Sequence, residues 1–306
     1  MSPELTSIVS CANTDGTSYT QNCKEPPCGQ LNPSSTLMYQ VLGTVLQDVA
    51  MMFSSGGNKN MTLPFVHLGF DEVDSHCWTS DPTVAEYMAK NHLNVSSLLA
   101  EFFIRERALL AAADASSPAA IYWDEVVSQG LHKKLRANDV VQFWHAGNSG
   151  LLEQYLKETN VTNTAVLSAY TSYYLDCGTG NEFGEESWCD PLKTWRTMYF
   201  NDPLVGVDPS LWQGRIRGGE AALWTEVASA GSLDSKLWPR AASYGARLWD
   251  YGVKHVNATT GWVEVELDLA AHASRLLARG IGSDQITPEF CQQQPHLCFP
   301  SSLPSV

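Results

Sequence analysis

The sequence predicts an α/β fold built on a parallel sheet, and three observations predict it. Five short apolar runs have the length and composition of buried strands: PFVHLG (64–69), AAIYW (119–123), VVQFW (140–144), AVLSAY (165–170) and GGEAALW (218–224). Stretches with helical spacing of apolar residues stand between them. Strand–helix alternation of this kind means parallel pairing, as a barrel or as a doubly wound sheet. Finally, 44% of the 306 residues are hydrophobic, which is enough for a sizeable core in one large domain or two ordinary ones.

The elements follow in order. Residues 1–33 are rich in Cys, Pro, Ser, Thr and Asn and read as a loop region. Residues 35–53 carry helix-period apolars, and SSGGNKN at 54–60 is a turn. The run at 64–69 ends directly in charge. Residues 81–113 are helical in pattern with a break near Asn94, and further helical stretches lie near 126–136 and 149–158. The polar segment 174–210 reads as an extended loop over a site. Residues 233–251 and 260–280 are helical, and a tail holds Cys291 and Cys298. The chain therefore divides into a Cys-rich lead (1–33), a catalytic-size body (34–285) and a tail (286–306). No strand is followed by a nucleotide fingerprint: GTGNEFG (178–184) has the wrong glycine spacing, and no GxSxG elbow occurs.

Charge and cysteines narrow the function. Lys plus Arg number 19 and Asp plus Glu 33, a net charge of −14. Such a surface repels phosphate backbones, so nucleic acid is excluded as a partner. No apolar run reaches the length of a membrane span. The eight cysteines include three close pairs in polar stretches, 23/28, 177/189 and 291/298, and none has CxxC metal spacing. That pattern favours disulfides. Four glycosylation sequons begin at Asn60, Asn94, Asn160 and Asn257. Together these indicate a secretory protein. The start MSPELTSIVSC has no signal-peptide pattern, so the expectation is that an N-terminal part is missing.

The chemistry lies at the strand ends. PFVHLGF runs into Asp71-Glu72, and AAIYW into Trp123-Asp124-Glu125. VVQFW ends on Trp144 before His145, AVLSAY leads to Tyr173, Tyr174 and Asp176, and GGEAALW ends on Trp224 before Glu226. In a parallel barrel the C-terminal strand ends form the active-site face. Indoles stack on the apolar faces of sugar rings, and carboxylates accept hydrogen bonds from sugar hydroxyls. Neighbouring carboxylates in a partly apolar pocket hold different pKa values, so one can donate a proton. One Asp-Glu after a strand is ordinarily a helix cap, and one Trp there ordinarily belongs to the core. Repetition over five strands points instead to a carbohydrate site. His67, Asp71, Asp74 and His76 have ligand chemistry but not the spacing of a zinc helix. No metal is expected, and His67 is expected to be a buried, hydrogen-bonded strand residue.

These residues resemble the β-N-acetylhexosaminidases of glycoside hydrolase family twenty. The resemblance rests on HLGFDEVDSHCW (67–78), IYWDEV (121–126), VVQFW (140–144), SYYLD (172–176), GGEAALWTE (218–226), LWPRAASYGARLW (237–249) and RGI (279–281), in family order over roughly residues 8 to 290. It implies a (β/α)8 barrel of which strands 4 to 8 are present and strands 1 to 3 missing. It implies substrate-assisted retaining catalysis, in which the substrate's acetamide oxygen attacks the anomeric carbon and gives an oxazolinium intermediate. By the same resemblance Glu72 is the general acid, Asp71 holds the acetamide N–H, and Tyr174 orients the acetamide oxygen. Trp123, Trp144 and Trp224 wall the sugar, and Asp176 and Glu226 take its outer hydroxyls. The implied substrate is a glycan ending in N-acetylhexosamine, with no cofactor, in the lysosome or outside the cell. Members of the family often dimerise through the barrel, so the resemblance also raises a homodimer. Finally, it implies a Cys11–Cys77 bridge, with Cys23–Cys28, Cys177–Cys189 and Cys291–Cys298 as local pairs.

Two departures stand against the family pattern. Phe70 occupies the position of the second glycine before the catalytic Asp, and Ala246 stands where the family has Glu. A phenyl group at position 70 has three possible destinations: the sugar pocket, a position that pushes Asp71 out of line, or the surrounding helices. The missing strands take with them the family's sugar-clamping arginine. The competing reading is therefore a truncated or degenerate, non-catalytic sugar-binding relative.

Overall fold

The structure is a computed structural model that describes residues 8–11, 29–54, 63–114, 116–145, 149–178, 180, 188–250, 258 and 261–299. Its centre is a sheet of five parallel strands in chain order: β3 (Phe65–Gly69), β4 (Ala119–Trp123), β5 (Val140–Phe143), β6 (Thr164–Leu167) and β7 (Ile216–Gly219). β4, β5 and β6 are mostly buried along their length, as parallel strands covered on both faces must be. β3 and β7 end the strand order and are only partly buried. This order matches the α/β, partial-barrel architecture expected from the sequence. Two compact units make up the chain: residues 1–142 with 155–164, and residues 143–154 with 165–306.

In the first unit, α1 (Thr36–Ser54) and α4 (Val95–Ala113) pack together. α1 turns Met38, Tyr39, Leu46 and Ala50 inward, and α4 turns Leu98, Leu99, Phe102, Phe103 and Leu110 inward, the spacing of one helix face. The helical pattern at 81–113 resolves into α3 (Pro82–Lys90) and α4. Asn94 separates them: its side chain accepts from the Ser97 N–H while the Ser97 hydroxyl accepts from the Asn94 N–H, a capping box. Under β4, the Arg107 guanidinium lies 3.5 Å from Asp139 and donates to the Pro118 carbonyl, and Asp139 accepts from the Ala120 N–H. The 1–33 region, expected as loop, contains a small antiparallel pair, β1 (Val9–Ser10) and β2 (Gln30–Leu31). Such two-residue strands carry no periodicity that a sequence pattern can show.

In the second unit, β6 and β7 are followed by α8 (Trp195–Phe200), α11 (Arg240–Trp249) and α12 (Trp262–Ala278). Trp195 and Tyr199 of α8 pack on Val265 and Leu269 of α12. The expected strand at 218–224 is corrected to 216–219. Leu167 pairs with Gly219, and a Cβ there would collide with the Tyr244 hydroxyl and the Leu167 carbonyl. Beyond it the Glu220 N–H still donates to the Leu167 carbonyl, and Ala222 makes a parallel bridge to Tyr174, but the regular strand ends at Gly219. The expected helix 233–251 is broken into α10 (Leu233–Leu237) and α11 at Trp238-Pro239, because proline lacks the N–H to continue the ladder. Within 174–210, α8 and α9 (Pro209–Trp212) interrupt the expected loop.

Candidate active site

The first unit carries the acidic residues. β3 ends at Gly69, and the chain then passes through Phe70, Asp71 and Glu72 with φ of +77° at Gly69, +80° at Phe70 and +51° at Glu72. Left-handed backbone at two non-glycine residues costs on the order of 1–3 kcal/mol each and concentrates at functional sites. The neighbours hold this turn. Phe70 is buried among Phe102 and Phe103 of α4 and Tyr122 of β4, with ring centroids 6.2, 5.4 and 6.3 Å away. Of the three destinations open to it in the sequence, the phenyl group takes the helix layer. The Gly69 N–H donates to His67 Nδ1 at 3.0 Å, and the Glu72 N–H donates to Glu125 Oε1 at 3.4 Å.

The loop after Glu72 is held from the lead region. Gln30 exchanges two hydrogen bonds with the Asp74 backbone, at 2.9 and 3.0 Å. The Asp74 carboxylate caps α2 (Ser75–Ser80) by accepting from the His76 and Cys77 N–H groups. Cys77 is joined to Cys11. His67 is exposed, a correction to the buried strand residue expected; among the described residues β3 is the edge strand of the sheet. Its imidazole centroid is 4.7 Å from that of buried Trp123. Crowding by protein raises the pKa of the Asp71 carboxyl, while its own backbone N–H and His67 act the other way.

The second unit carries the aromatic wall. Trp144 and Tyr174 are buried with nearly parallel rings, centroids 6.3 Å apart and an interplanar angle of 11°. Trp224 stands 6.0 Å from Tyr174, edge-on and partly exposed. Asp176 accepts from the Trp224 N–H at 3.2 Å. Burial raises its pKa; the Trp224 and Asp176 backbone N–H groups lower it, exposed Glu226 adds to the rise and Lys236 opposes it. Tyr173 ends the helical turn Tyr170–Tyr173, and Tyr174 follows it in extended conformation. Tyr173 is fully buried on Tyr244, 3.9 Å away, and lines a separate cavity of about 240 Å³ with Asn201, Trp212 and Leu248.

Two residues of this wall were not singled out in the sequence. Tyr170 lies 4.9 Å from Trp188, and Trp188 is 6.1 Å, edge-on, from both Trp144 and Tyr174. Trp188 precedes Cys189, whose bond to Cys177 returns the polar loop to the residue beside Asp176. The cysteine pair was the available signal for it. Asn94 and Asn160 are exposed, as glycan attachment requires. Asn60, Asn257, Cys23 and Cys28 lie outside the described residues, and Cys291 is joined to Cys298.

Comparison with known proteins places this geometry. Residues 2–251 match the sequence profile "Glycosyl hydrolase family 20, catalytic domain". A chitooligosaccharidolytic β-N-acetylglucosaminidase of Ostrinia furnacalis is 32% identical over 290 residues, covering 90% of this chain and 45% of that protein. The β-hexosaminidase subunit beta of Felis catus is 29% identical over 276 residues, covering 90% and 46%. Among solved structures, a family 20 exo β-N-acetylglucosaminidase from Vibrio harveyi superposes with a TM-score of 0.63 at 20% identity, over 84% of this chain and 37% of that one. The chain thus spans about half the length of the curated relatives it matches, and the structural likeness at this identity shows the fold. With the profile covering most of the sequence, the chain belongs to glycosyl hydrolase family 20.

Proposed function

We propose that this chain carries the catalytic residues of a hydrolase that removes terminal, non-reducing β-linked N-acetylhexosamine from glycans, through substrate-assisted retention. The observation that supports it most is the Asp71-Glu72 pair on a left-handed turn at the C-terminal end of a parallel strand, in a family 20 catalytic domain. In this reading the acetamide oxygen of the substrate attacks the anomeric carbon and the glycosidic bond breaks. Glu72 gives its proton to the leaving oxygen and later takes one from the attacking water. Asp71 holds the acetamide N–H and stabilises the charge of the oxazolinium ring. Tyr174 donates to the acetamide oxygen and fixes its approach. An internal nucleophile needs accurate placement more than activation.

Trp123, Trp144 and Trp224 supply apolar faces for the sugar, and Asp176 and Glu226 accept from its outer hydroxyls. Tyr170 and Trp188 extend the wall toward solvent. The disulfides Cys11–Cys77, Cys177–Cys189 and Cys291–Cys298 support a place in the secretory pathway, lysosomal or extracellular. No helix among the described residues is long and apolar enough to cross a membrane. A homodimer belongs to the same reading through the family resemblance. The non-catalytic alternative drew on Phe70 and on the expected loss of the arginine clamp; the position of the Phe70 side chain in the helix layer speaks against the first of these grounds.

Turnover of an aryl N-acetyl-β-hexosaminide tests the proposal. Glu72→Gln is expected to lower kcat by roughly 10²–10⁴-fold, the usual worth of a general acid. Near-normal turnover by that variant would take Glu72 out of the role.

A further inference from the structure

We propose that Arg240 is a positioning residue for the sugar site, holding the Tyr174–Asp176 segment from behind. The inference rests on the functional reading above. Arg240 opens α11 and is buried. Its guanidinium donates to three carbonyls on three segments: Leu175 at 2.7 Å, Lys193 at 3.0 Å and Lys236 at 2.6 Å. Leu175 sits between Tyr174 and Asp176, is fully buried, and gives its N–H to the Ala222 carbonyl at 2.7 Å. Both faces of that residue's backbone are therefore tied. Leu175 stands between the two site residues, so ties at its N–H and its carbonyl restrain the backbone that carries both.

The second buried cation makes the arrangement more than a helix anchor. Lys193 Nζ donates to the Cys189 carbonyl at 2.7 Å, and Cys189 is bonded to Cys177, the neighbour of Asp176. Burial pulls the pKa of both Lys193 and Arg240 down, and the Asp176 charge pushes both back up; Asp190 adds to this at Lys193 and Asp284 at Arg240. Glu226 and Lys236 also act on Asp176. Arginine suits the task because a planar fork reaches several carbonyls at once, and lysine does not.

The test measures kcat, KM and the pH profile of kcat/KM for an aryl N-acetyl-β-hexosaminide, with the full-length protein and its Arg240→Lys and Arg240→Gln variants. Calorimetric binding of N-acetylglucosamine is measured beside it. Arg240→Lys keeps the charge and loses the fork. It is expected to lower kcat/KM about 10- to 100-fold per folded molecule, mainly through KM, with the acid limb unmoved. Arg240→Gln loses the fork and the charge and is expected to lose at least as much. In an Asp176→Asn background the same change is expected to keep the part of the loss that comes through Tyr174, so the two losses add only in part. The lysine variant keeps the test decisive if the glutamine variant does not fold. Unchanged KM, kcat, binding and limb beside a lowered melting temperature would overturn the assignment and leave Arg240 as a fold anchor. Neither turnover nor binding by the unsubstituted protein would overturn the functional reading, and this inference with it.

Discussion

The candidate residues of the two units are held by different physics. In the first unit the acidic pair stands on a turn with positive φ at Phe70 and Glu72, and side-chain packing keeps it there: Phe70 is locked among Phe102, Phe103 and Tyr122. In the second unit the Tyr174–Asp176 segment is held by hydrogen bonds to Ala222, Trp224 and Arg240 and by the Cys177–Cys189 bridge. The difference teaches where each half is vulnerable. A strained turn fails when its packing loosens, whereas a hydrogen-bonded segment fails when a donor or a crosslink is removed.

The largest effect is expected on the packed side. Phe70→Ala should destabilise the protein by roughly 3–5 kcal/mol, the usual cost of emptying a buried aromatic site. Phe70→Gly regains on the order of 1 kcal/mol from relief of the positive φ, so it should remain less stable than the natural protein by about 2–4 kcal/mol. Chemical denaturation of both variants checks this. A Phe70→Gly variant as stable as the parent would show that the turn is held by something other than the phenyl ring.

On the bridged side, Cys177→Ser with Cys189→Ser opens a crosslink spanning 12 residues of sequence. A loss of about 3 kcal/mol is expected from the freed chain entropy. Near-ultraviolet circular dichroism should show the Trp188 and Tyr170 signal fading before the rest, and an unchanged spectrum would detach Trp188 from the bridge.

A third prediction concerns the helix beneath Phe70. Glu106 of α4 is buried, and among the described residues its Oε2 has no hydrogen-bond partner; burial pushes its pKa up to about 8. The folded state thus holds a proton that the unfolded chain releases near pH 4.5. The resulting stability is complete in acid, declines as pH rises above that value, and is gone above about 8, with a slope of roughly 1.4 kcal/mol per pH unit between. Glu106→Gln should flatten that slope and melt higher than the parent at neutral pH. Parallel melting curves against pH for the two proteins would remove Glu106 as the cause. The smallest effect is expected at His67→Ala, which removes one acceptor from the Gly69 N–H and one ring from Trp123. About 1 kcal/mol is expected, read from thermal melts.

Much of this was legible in the sequence, for identifiable reasons. AAIYW is a strand over the same five residues in the structure, because a short run of apolar and aromatic side chains suits a buried parallel strand. The break at Asn94 was visible because capping is local chemistry. The acids and aromatics at the strand ends were legible because parallel strands deliver their C-terminal ends to one face. Other features depend on residues far apart in the chain. The direction of Phe70 is set by α4, about 30 positions later, and the place of Trp188 by a disulfide. GGEAALW read as a strand from its apolars, while its first residues pair with β6 and its glycine at 219 leaves room for the Tyr244 hydroxyl.

The setting of Phe70 has a consequence for reading variation in this protein. Phe102 and Phe103 touch the residue next to Asp71 through its ring, so a change in α4 reaches the acid pair through a single contact. Variants there should behave as defects of chemistry as well as of folding, with kcat falling in molecules that are still native. Sorting variants by their distance from the sugar would then misfile them; sorting by contact with Phe70 would not.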